Sequence, residues 1–543
     1  MSNLIARWIE RRLGGYRQAF NKPTPGAPEK LAPENLAPDG AAPRVAIVGA
    51  GLAGLSAASS LASAGFDVTL LERNDYIGGK LGAWKTTLPG GREIGVSHGF
   101  HAFFHHYYNL DGFLGEVGVT KHYRNIGDYR ILTRDGRELG FANIATTPIL
   151  NLLSLARAGM YRLRRVARSP TGPMMEALLR YDPVQTYARW DQVSYAEFAD
   201  RAELPEDLRL IFNTFARVFF ADADKMSMAE LIKSFHFYYL SNDGGLLFEY
   251  LDDDLEPALL APMRAHLERL GVTLRTGCEV HSLVPRGSDS TTGPTTGPTT
   301  GNAPGGYLVD GEAFDYLILA CDPGAASRLA QASPELARHA PKAARQLAQL
   351  RTGQRYAVLR VWFDRDHGPR ELPPFVITER LHILDAIVTN HRSEAESKAW
   401  AEERRAEGLD AGIYELHCYA VPDDFSDDED EMTRALLEEV LHFLPGLRGA
   451  EVLHTHLSYL QDFPAFHVGQ HSQRPQVTTE RPDLFLAGDW VTLPMPAMLM
   501  EAACVAGFLA ANSIREAHGL RPRQLWSVPA RGIMADLPRR PGS

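Results

Sequence analysis

Histidines are concentrated in one short segment, HGFHAFFHHYYNL, which runs from His98 to Leu110. Its four histidines, at positions 98, 101, 105 and 106, are interleaved with aromatic residues. Imidazoles at this density can ligate a metal, act as acids or bases near pH 7, or border the site of an apolar substrate. On a helix, His98, His101 and His105 would share one face, but the sequence offers no paired acidic ligand. The missing acidic ligand argues against a metal, so we expect none, and the other two interpretations stay open.

A dinucleotide-binding fingerprint begins at the start of the predicted fold. The apolar strand 45–48 precedes Gly49, Gly51 and Gly54 in the spacing GxGxxG, and a small-residue helix and a second strand follow. The first glycine permits a tight turn, the second lets a pyrophosphate approach the backbone, and the third lets helix pack on strand. Glu72 ends the second strand, where a carboxylate can bind ribose hydroxyls. In this context the motif predicts a bound dinucleotide rather than a plain glycine turn.

A second strand-end motif lies near the end of the chain. DLFLAGDW, 483–490, is predicted as a strand that runs into Gly488 and Asp489, and the small-residue segment 500–514 is predicted as a helix. Asp489 either contributes to the nucleotide site or caps that helix, because aspartate is common at helix N-termini. The sequence leaves both interpretations open.

Composition excludes several classes of function. The length of 543 residues predicts more than one structural unit, and the net charge of −11 argues against a nucleic-acid partner. The four cysteines form no CxxC pair, so we expect neither a zinc cage nor a disulfide framework, and a reducing compartment fits. No apolar run reaches the length of a membrane span, and the N-terminus lacks the apolar core of a secretory signal.

Two basic segments predict contact with a membrane surface. Residues 1–21 combine Trp8 and other apolar residues at helical spacing with four arginines, and residues 151–169 contain five arginines and no acid. Basic amphipathic helices that carry tryptophan bind at the membrane interface, and anionic lipids attract clusters of arginine. The alternatives are a helix packed on its own protein for the first segment and a solvated basic face for the second.

Other segments predict packing or loops. Residues 211–240 are dense in aromatics, which individually predicts core packing and collectively predicts the lining of an apolar tunnel. The proline-rich residues 22–43 are predicted as a linker, and the TTGP repeats within 286–306 as a disordered loop between strands. The acidic run 423–431 predicts a solvated loop and a helix start.

These segments together resemble the carotenoid desaturase branch of the FAD-dependent amine oxidase superfamily, over roughly residues 44–520. RNDYIGGKLGAW, 73–84, is similar to the double-glycine motif of those flavoproteins, which implies FAD as the cofactor. The resemblance implies that Arg73, Gly78, Gly79 and Lys80 join the cofactor-binding residues. Many relatives have arginine where this chain has Lys80.

Within that branch, the segment from His98 to Leu110 is similar to a segment of the carotenoid φ/χ-ring synthases, the isorenieratene synthase type. LPMPAMLMEAACVAGFLAAN, 493–512, is similar to their C-terminal segment. The resemblance implies aromatisation of a β-ionone end ring with methyl migration, and binding of a ribityl hydroxyl by the carboxylate after Gly488. It implies His98 or His101 as proton acceptor, with Glu501 as a second candidate whose alternative role is helix capping.

The implied substrate, a carotene, is insoluble in water and resides in bilayers. The resemblance therefore implies a monotopic enzyme, peripheral on the cytoplasmic side of a membrane, that passes electrons to a quinone or to oxygen. Three alternatives stay open: a carotene chain desaturase, an amine oxidase with a soluble substrate, and a non-catalytic flavoprotein or scaffold. Product identity separates the first of these from ring aromatisation.

The predicted fold class is α/β, with a Rossmann-type FAD-binding domain (GR2-like) and a discontinuous α+β substrate domain. We expect the FAD-binding domain to comprise 44–135, 251–330 and 466–520. The substrate or membrane-facing domain is then 136–250 with 331–465. An amphipathic helix and linker, 1–43, and a C-terminal tail, 521–543, are predicted to flank them.

Overall fold

The computed structural model describes residues 2–23, 25–32, 36, 40–162, 172–245, 247–286, 305–368 and 372–537. The α-helices in chain order are α1 Ser2–Leu13, α2 Leu52–Ser63, α3 Tyr108–Val117, α4 Leu150–Arg157, α5 Gly172–Leu179, α6 Gln185–Trp190, α7 Tyr195–Arg201, α8 Glu206–Arg217, α9 Met228–Phe235, α10 Ala261–Arg269, α11 Pro323–Ala332, α12 Pro334–His339, α13 Pro341–Ala348, α14 Ala395–Ala406, α15 Glu429–Phe443 and α16 Leu499–Ala517. The strands are β1 Gln18–Ala19, β2 Arg44–Val48, β3 Asp67–Leu71, β4 Ala83–Thr87, β5 Glu93–Ser97, β6 Phe103–Phe104, β7 Tyr123–Asn125, β8 Arg130–Leu132, β9 Glu138–Gly140, β10 Phe248–Leu251, β11 Thr273–Arg275, β12 Leu283–Pro285, β13 Tyr307–Val309, β14 Glu312–Phe314, β15 Tyr316–Leu319, β16 Tyr356–Phe363, β17 Phe375–Thr378, β18 Ala386–Thr389, β19 Gly412–Cys418, β20 Val452–Leu460, β21 Leu484–Leu486 and β22 Trp526–Ser527.

A five-stranded parallel sheet, with strand order β11-β3-β2-β15-β21, carries the dinucleotide fingerprint. Every residue of β15 and all but the first residue of β2 are buried, which is the pattern of a parallel strand covered on both faces. The chain passes from β2 through α2 to β3, and the other strands come from distant segments. This arrangement confirms the predicted α/β class.

Helices α2 and α16 pack closely although almost the whole chain separates them. Both helices are rich in alanine, serine and glycine, so their backbones can approach. The hydroxyl of Ser56 donates a hydrogen bond to the carbonyl of Cys504, 3.1 Å away. A Cβ atom at Gly507 would overlap the carbonyl oxygen of Ala53 and the hydroxyl of Ser56. The contact therefore requires glycine at position 507.

A second sheet has seven strands in the order β20-β16-β19-β18-β17-β8-β9. β16 and β19 are buried along their whole length and pair in antiparallel register. β8 pairs in parallel with β17, and β9 pairs with β8. The predicted domain boundary at residue 135 is therefore wrong, because it falls between two strands that are hydrogen-bonded into this sheet.

The N-terminal helix is shorter than predicted. α1 ends at Leu13 because Gly14 and Gly15 follow with φ values of +75° and +91°, which stop a helix. Ile9 and Leu13 are buried in a cluster with Ile533, so this face packs on its own protein.

The predicted C-terminal tail is also folded. β22 pairs with β1, and the amide nitrogen of the Gln524 side chain and the backbone of Leu525 hydrogen-bond to Asn21. The prediction of a tail from 521 onward is wrong for the described residues because backbone pairing with the N-terminal segment orders them.

In the basic segment 151–169, α4 ends at Arg157, and residues 163–171 lie outside the described residues. The predicted loop 286–306 lies outside the described residues from 287 to 304. The described part of 136–250 contains the helices α4 to α9. A π-helical turn, His236–Leu240, extends α9.

The close contact of α2 with α16 predicts that a methyl group added at Gly507 destabilises the protein. Gly507→Ala should lower the free energy of unfolding by about 1–3 kcal/mol, because overpacking forces the two backbones apart. Gly112→Ala in α3 is the matched control: its Cβ would meet open space, so we expect a gain of about 0.5–1 kcal/mol from helix propensity. Denaturant unfolding measures both variants, and equal stability of the two would contradict the close packing.

Candidate active site

A cavity of about 730 Å³ connects the glycine fingerprint with an aromatic chamber. Of the residues predicted to bind the cofactor, those that line it are Gly49, Gly51, Glu72, Arg73, Gly78, Gly79, Lys80, Gly488 and Asp489. The fold thus brings together motifs that lie more than 400 positions apart in the sequence. Gly54 does not line the cavity, because it lies where helix α2 contacts the fingerprint loop at Gly49.

Each of the three fingerprint glycines occupies its position for a different structural reason. Gly49 has φ +106°, and a Cβ there would stand 2.7 Å from the carbonyl oxygen of Ala320. A Cβ at Gly54 would overlap the carbonyl oxygen of Gly49, which explains why the helix can pack so closely. At Gly51 the nearest atom is the Cα of Gly79 at 3.8 Å, so its backbone is accessible from the cavity. These are the roles that a pyrophosphate site requires.

The Glu72 carboxylate holds the fingerprint loop in place. It accepts hydrogen bonds from the backbone of Ala50 at 2.8 Å and of Asn74 at 2.9 Å. The backbone of Gly78 donates to the carbonyl of Ala50 at 2.8 Å, so the double-glycine segment lies against the same loop. Arg73 forms an ion pair of 3.4 Å with Asp322 at the cavity wall. Two glycine segments and one carboxylate therefore form one end of the cavity.

Asp489 faces the cavity from the other strand end. Its carboxylate lies 3.5 Å from the ammonium of Lys80, which also lies 4.2 Å from the ring centre of Phe463. The N-cap residue of α16 is Met498, so Asp489 does not cap that helix. The first residues of α16, including Leu499, border the cavity, and the amides of a first helical turn lack intrahelical acceptors.

These features fit FAD on the chemistry of the donors. The accessible backbone at Gly51 and the start of α2 suit a pyrophosphate, and Glu72 suits a ribose. The positive end of the α16 dipole suits the electron-rich pyrimidine edge of a flavin. Asp489 lines the cavity, and a ribityl hydroxyl would be a suitable hydrogen-bond donor to its carboxylate.

The far part of the cavity is aromatic. Phe100 stacks on Phe375 with ring centres 4.9 Å apart, and the hydroxyls of Tyr107 and Tyr238 are 2.6 Å apart. Part of the aromatic-rich segment 211–240 lines this apolar cavity, as predicted, whereas other aromatics of the segment do not. Its wall residues are Ile211, Phe215, Val218, Phe219, Phe220, Tyr238 and Tyr239. Of the aromatics in the histidine segment, Phe100, Phe104 and Tyr107 line the cavity, whereas Phe103 packs on Tyr123.

Two of the four histidines in the motif reach the cavity, His98 and His101. The segment is not helical before Tyr108, so the helical face considered for a metal does not form. Among the described residues, no three His, Cys, Asp or Glu side chains are grouped as metal ligands. His105 is exposed, and His106 is buried among aromatic rings, where burial lowers its pKa to about 3.

His101 has a defined tautomer. Its Nε2 lies 2.9 Å from the carbonyl oxygen of Lys80. Because a carbonyl only accepts, Nε2 carries the hydrogen and Nδ1 keeps its lone pair. Burial lowers the pKa of His101 to about 4 and also lowers the pKa of His98, so both imidazoles are neutral at pH 7.

Glu501 is buried outside the set of residues that line the cavity. Its carboxylate accepts hydrogen bonds from the backbone of Asn109 at 3.1 Å and of Leu110 at 2.9 Å, and from the Asn109 side chain at 2.6 Å. These contacts cap the first turn of α3, a different helix from its own. Burial raises the pKa of Glu501 to about 7.

Sequence reasoning missed several polar residues of the cavity wall, among them Tyr356, His417 and Asp462. The hydroxyl of Tyr356 donates to Asp462 at 3.1 Å, and Nε2 of His417 lies 2.9 Å from a carboxylate oxygen of Glu415. The sequence of β19, GIYELHC, contained a signal for His417: Glu415 and His417 interrupt a mainly apolar strand and lie two residues apart. Residues at that interval share one face of a strand.

Known proteins place the chain in a family. The sequence profile described as flavin containing amine oxidoreductase matches residues 52–515. The chain is 36% identical over 504 residues to a carotenoid phi-ring synthase of Streptomyces griseus, which covers 91% of this chain and 92% of that protein. A carotenoid phi-ring synthase of Chlorobaculum tepidum is 26% identical over 599 residues, covering 90% of this chain and 91% of that protein.

Solved structures agree on the fold. Putrescine oxidase bound to putrescine matches with a TM-score of 0.60 at 16% identity, covering 87% of this chain and 99% of that chain. Cyclohexylamine oxidase from Brevibacterium oxydans matches with a TM-score of 0.56 at 14% identity, covering 88% and 99%. Because this profile matches residues 52–515, most of the chain, the chain belongs to the flavin containing amine oxidoreductase family, and FAD is its cofactor.

Proposed function

We propose that this FAD-dependent oxidoreductase acts on CH–CH groups of a carotene and aromatises a β-ionone end ring with migration of one methyl group. The substrate would be γ- or β-carotene, and the product an aryl carotenoid. The observation that carries the proposal is the single cavity in which the FAD-binding motifs open into an aromatic chamber. The two relatives named carotenoid phi-ring synthase support the same substrate class.

The chemistry sets the requirements of the site. A β-ionone ring has one double bond and a quaternary carbon with two methyl groups, so an aromatic product requires the loss of two hydrides and two protons. Bound FAD supplies the hydride acceptor. Hydride loss leaves a carbocation on the ring, to which a neighbouring methyl group migrates with its bonding electrons. Proton loss then forms the double bond, so each pair of hydride and proton accounts for one new double bond.

The walls of the chamber suit a cationic ring. Phe100, Phe104 and Tyr107 present aromatic faces or edges to the cavity, and each cation–π contact stabilises a desolvated cation by about 1–2 kcal/mol. The neutral state of His98 and His101 avoids repulsion of the cation. We propose that both imidazoles contact the ring directly. Lys80 is paired with Asp489, which offsets its charge.

A carotene reaches this cavity most directly from a bilayer. We propose that the enzyme is peripheral on the cytoplasmic side of a membrane, where a quinone takes the electrons, with oxygen as the alternative acceptor. Among the helices of the described residues, none is both long and apolar enough to cross a bilayer.

The proposed docking surface surrounds the cluster of Ile9, Leu13, Ile149, Leu179 and Ile533. Large apolar side chains are exposed on the segments that form or flank this cluster: Trp8, Leu153, Val184 and Leu537. Exposed arginines on α1, at the end of α4 and just beyond it suit an anionic leaflet: Arg7, Arg11, Arg12, Arg157 and Arg162. α4 also contacts the cavity wall, because Asn151 donates to the carbonyl of Tyr239 at 2.7 Å. Helix α4 therefore belongs to the proposed docking surface and also contacts the wall of the aromatic chamber.

Pigment analysis tests the reaction. Expression in a bacterium that accumulates β- and γ-carotene should yield a product four hydrogens lighter with an aryl end group, identified by chromatography and mass. Linear precursors that only became more conjugated would favour a carotene chain desaturase. Unchanged pigments beside purified, FAD-containing protein would contradict the substrate assignment.

Two adjacent phenylalanines test the aromatic wall. Phe104→Leu should lower the turnover of the ring about tenfold, because about 1.4 kcal/mol of cation stabilisation is lost. Phe103→Leu is the matched control, since Phe103 is buried against Tyr123 outside the cavity. Turnover is measured with carotene-loaded vesicles and normalised to bound FAD. Equal turnover of the two variants would contradict a cation-stabilising role for Phe104.

Vesicle flotation tests the docking surface. The double variant Trp8→Glu, Val184→Glu should lose most of its binding to vesicles that contain phosphatidylglycerol, because two exposed apolar anchors become charged. Leu409→Glu is the matched control, an exposed apolar residue beyond the end of α14. Phosphatidylcholine vesicles and high salt should weaken binding of the unmodified protein. Equal flotation of all three proteins would contradict this surface.

A further inference from the structure

Strand register brings three ionisable side chains together at the cavity wall. Glu415 and His417 are two residues apart on β19 and so share one face. On the neighbouring strand β16, Arg360 stands directly opposite Glu415, and Val358 directly opposite His417. All three ionisable side chains are buried, and His417 borders the cavity.

The three groups form a connected chain. Nε2 of His417 lies 2.9 Å from one oxygen of Glu415, and the other oxygen accepts hydrogen bonds from Arg360 at 2.8 and 3.2 Å. Arg360 also binds both oxygens of Glu394, at 2.8 and 2.9 Å. Burial alone would raise the pKa of Glu415, but Arg360 and His417 outweigh it and lower that pKa to about 2. Glu415 is therefore an anion at neutral pH.

This anion fixes the His417 tautomer. A carboxylate only accepts hydrogen bonds, so Nε2 carries the hydrogen and Nδ1 keeps its lone pair. The Cε1–Nδ1 edge of the ring lies against Gly99: a Cβ there would be 2.6 Å from Cε1 and 3.3 Å from Nδ1. Gly99 also has φ +119°. Gly99 is therefore required at its position, because the His417 ring on β19 leaves no room for a side chain there.

Four histidines line the cavity, and three of them, His98, His101 and His417, differ in their hydrogen-bond partners. His101 is hydrogen-bonded to a neutral carbonyl, and His98 has a weak contact of 3.5 Å with the hydroxyl of Tyr356. In these contacts neither His98 nor His101 has a charged hydrogen-bond partner. The carboxylate on His417 stabilises the imidazolium that forms when Nδ1 takes a proton, as in other histidine–carboxylate pairs.

We propose that His417 is the catalytic proton acceptor, with Glu415 and Arg360 as positioning residues. This inference rests on the proposed ring aromatisation. After hydride has left the ring for FAD, a C–H bond next to the cationic carbon breaks. Its electron pair becomes the new C=C bond, and its proton moves to Nδ1 of His417. The imidazole thereby becomes an imidazolium paired with the Glu415 carboxylate, and the negative charge of the pair is neutralised.

The test uses the FAD-loaded full chain with vesicles that contain γ-carotene. His417→Ala should lower the rate of aryl product formation by roughly 10²–10⁴-fold, the usual contribution of general base catalysis. Added imidazole should restore part of that rate, and substituted imidazoles of higher pKa should restore more. Glu415→Gln should lower the rate less and gain nothing from imidazole. His391→Gln, a buried histidine of the same sheet region that binds the carbonyl of Ile413, should retain the rate.

Bound FAD and thermal unfolding are recorded for each variant. If the alanine variant loses FAD, His417→Gln replaces it, because its amide can still donate to Glu415. Retention of most of the rate by a folded His417 variant would overturn the inference while the ring chemistry stands. A rescue that does not depend on the pKa of the added base would also overturn it. Absence of aryl product from the unmodified protein would remove the proposed function and the inference together.

Discussion

The close packing of α2 against α16 is the contact on which the site depends. α2 begins at the glycine fingerprint and α16 begins beside Asp489, so the distance between the helices sets the distance between the two halves of the FAD site. Only small side chains permit this approach, and Arg515 reinforces it with a hydrogen bond to the carbonyl of Ser60 at 3.1 Å. The parallel sheet then holds β2 and β21 on either side of β15. The cavity follows from this packing.

Desolvation governs the chemistry that the cavity can support. Burial keeps His98 and His101 neutral, whereas the ion pair with Arg360 keeps Glu415 charged in the same region. In the proposed reaction a cationic ring would meet aromatic side chains and neutral imidazoles. Glu415 is not among the residues that line the cavity, so its carboxylate would stabilise positive charge through His417. Glu501 serves the scaffold instead, where its carboxylate caps α3.

The two terminal segments act as one structural unit. β1 pairs with β22, and α1 packs on Ile533, so both ends of the described chain meet beside α4. Their packing leaves Trp8 and Leu537 exposed. An apolar surface of this kind suits a substrate that is supplied from a bilayer. Amphipathic patterning in α1 thus serves two contacts, one with the protein and one with the proposed membrane.

Local patterns determined the nucleotide site. The strand–helix–strand fingerprint was predictable because backbone dihedrals and helix packing require glycine at that short spacing. The double glycine and the role of the Gly488–Asp489 strand end were predicted from the resemblance to a known family. The aromatic character of 211–240 likewise predicted a cavity wall.

Other features depended on contacts between residues far apart in sequence, which local periodicity does not encode. Strand pairing overturned the boundary at residue 135 and ordered the segment predicted as a tail. Register between β16 and β19 placed Arg360 opposite Glu415 and set the His417 ring against Gly99. The sequence by itself determined which cofactor chemistry the chain supports. Only the tertiary structure decided which histidine has a charged partner, because that depends on which strand faces align.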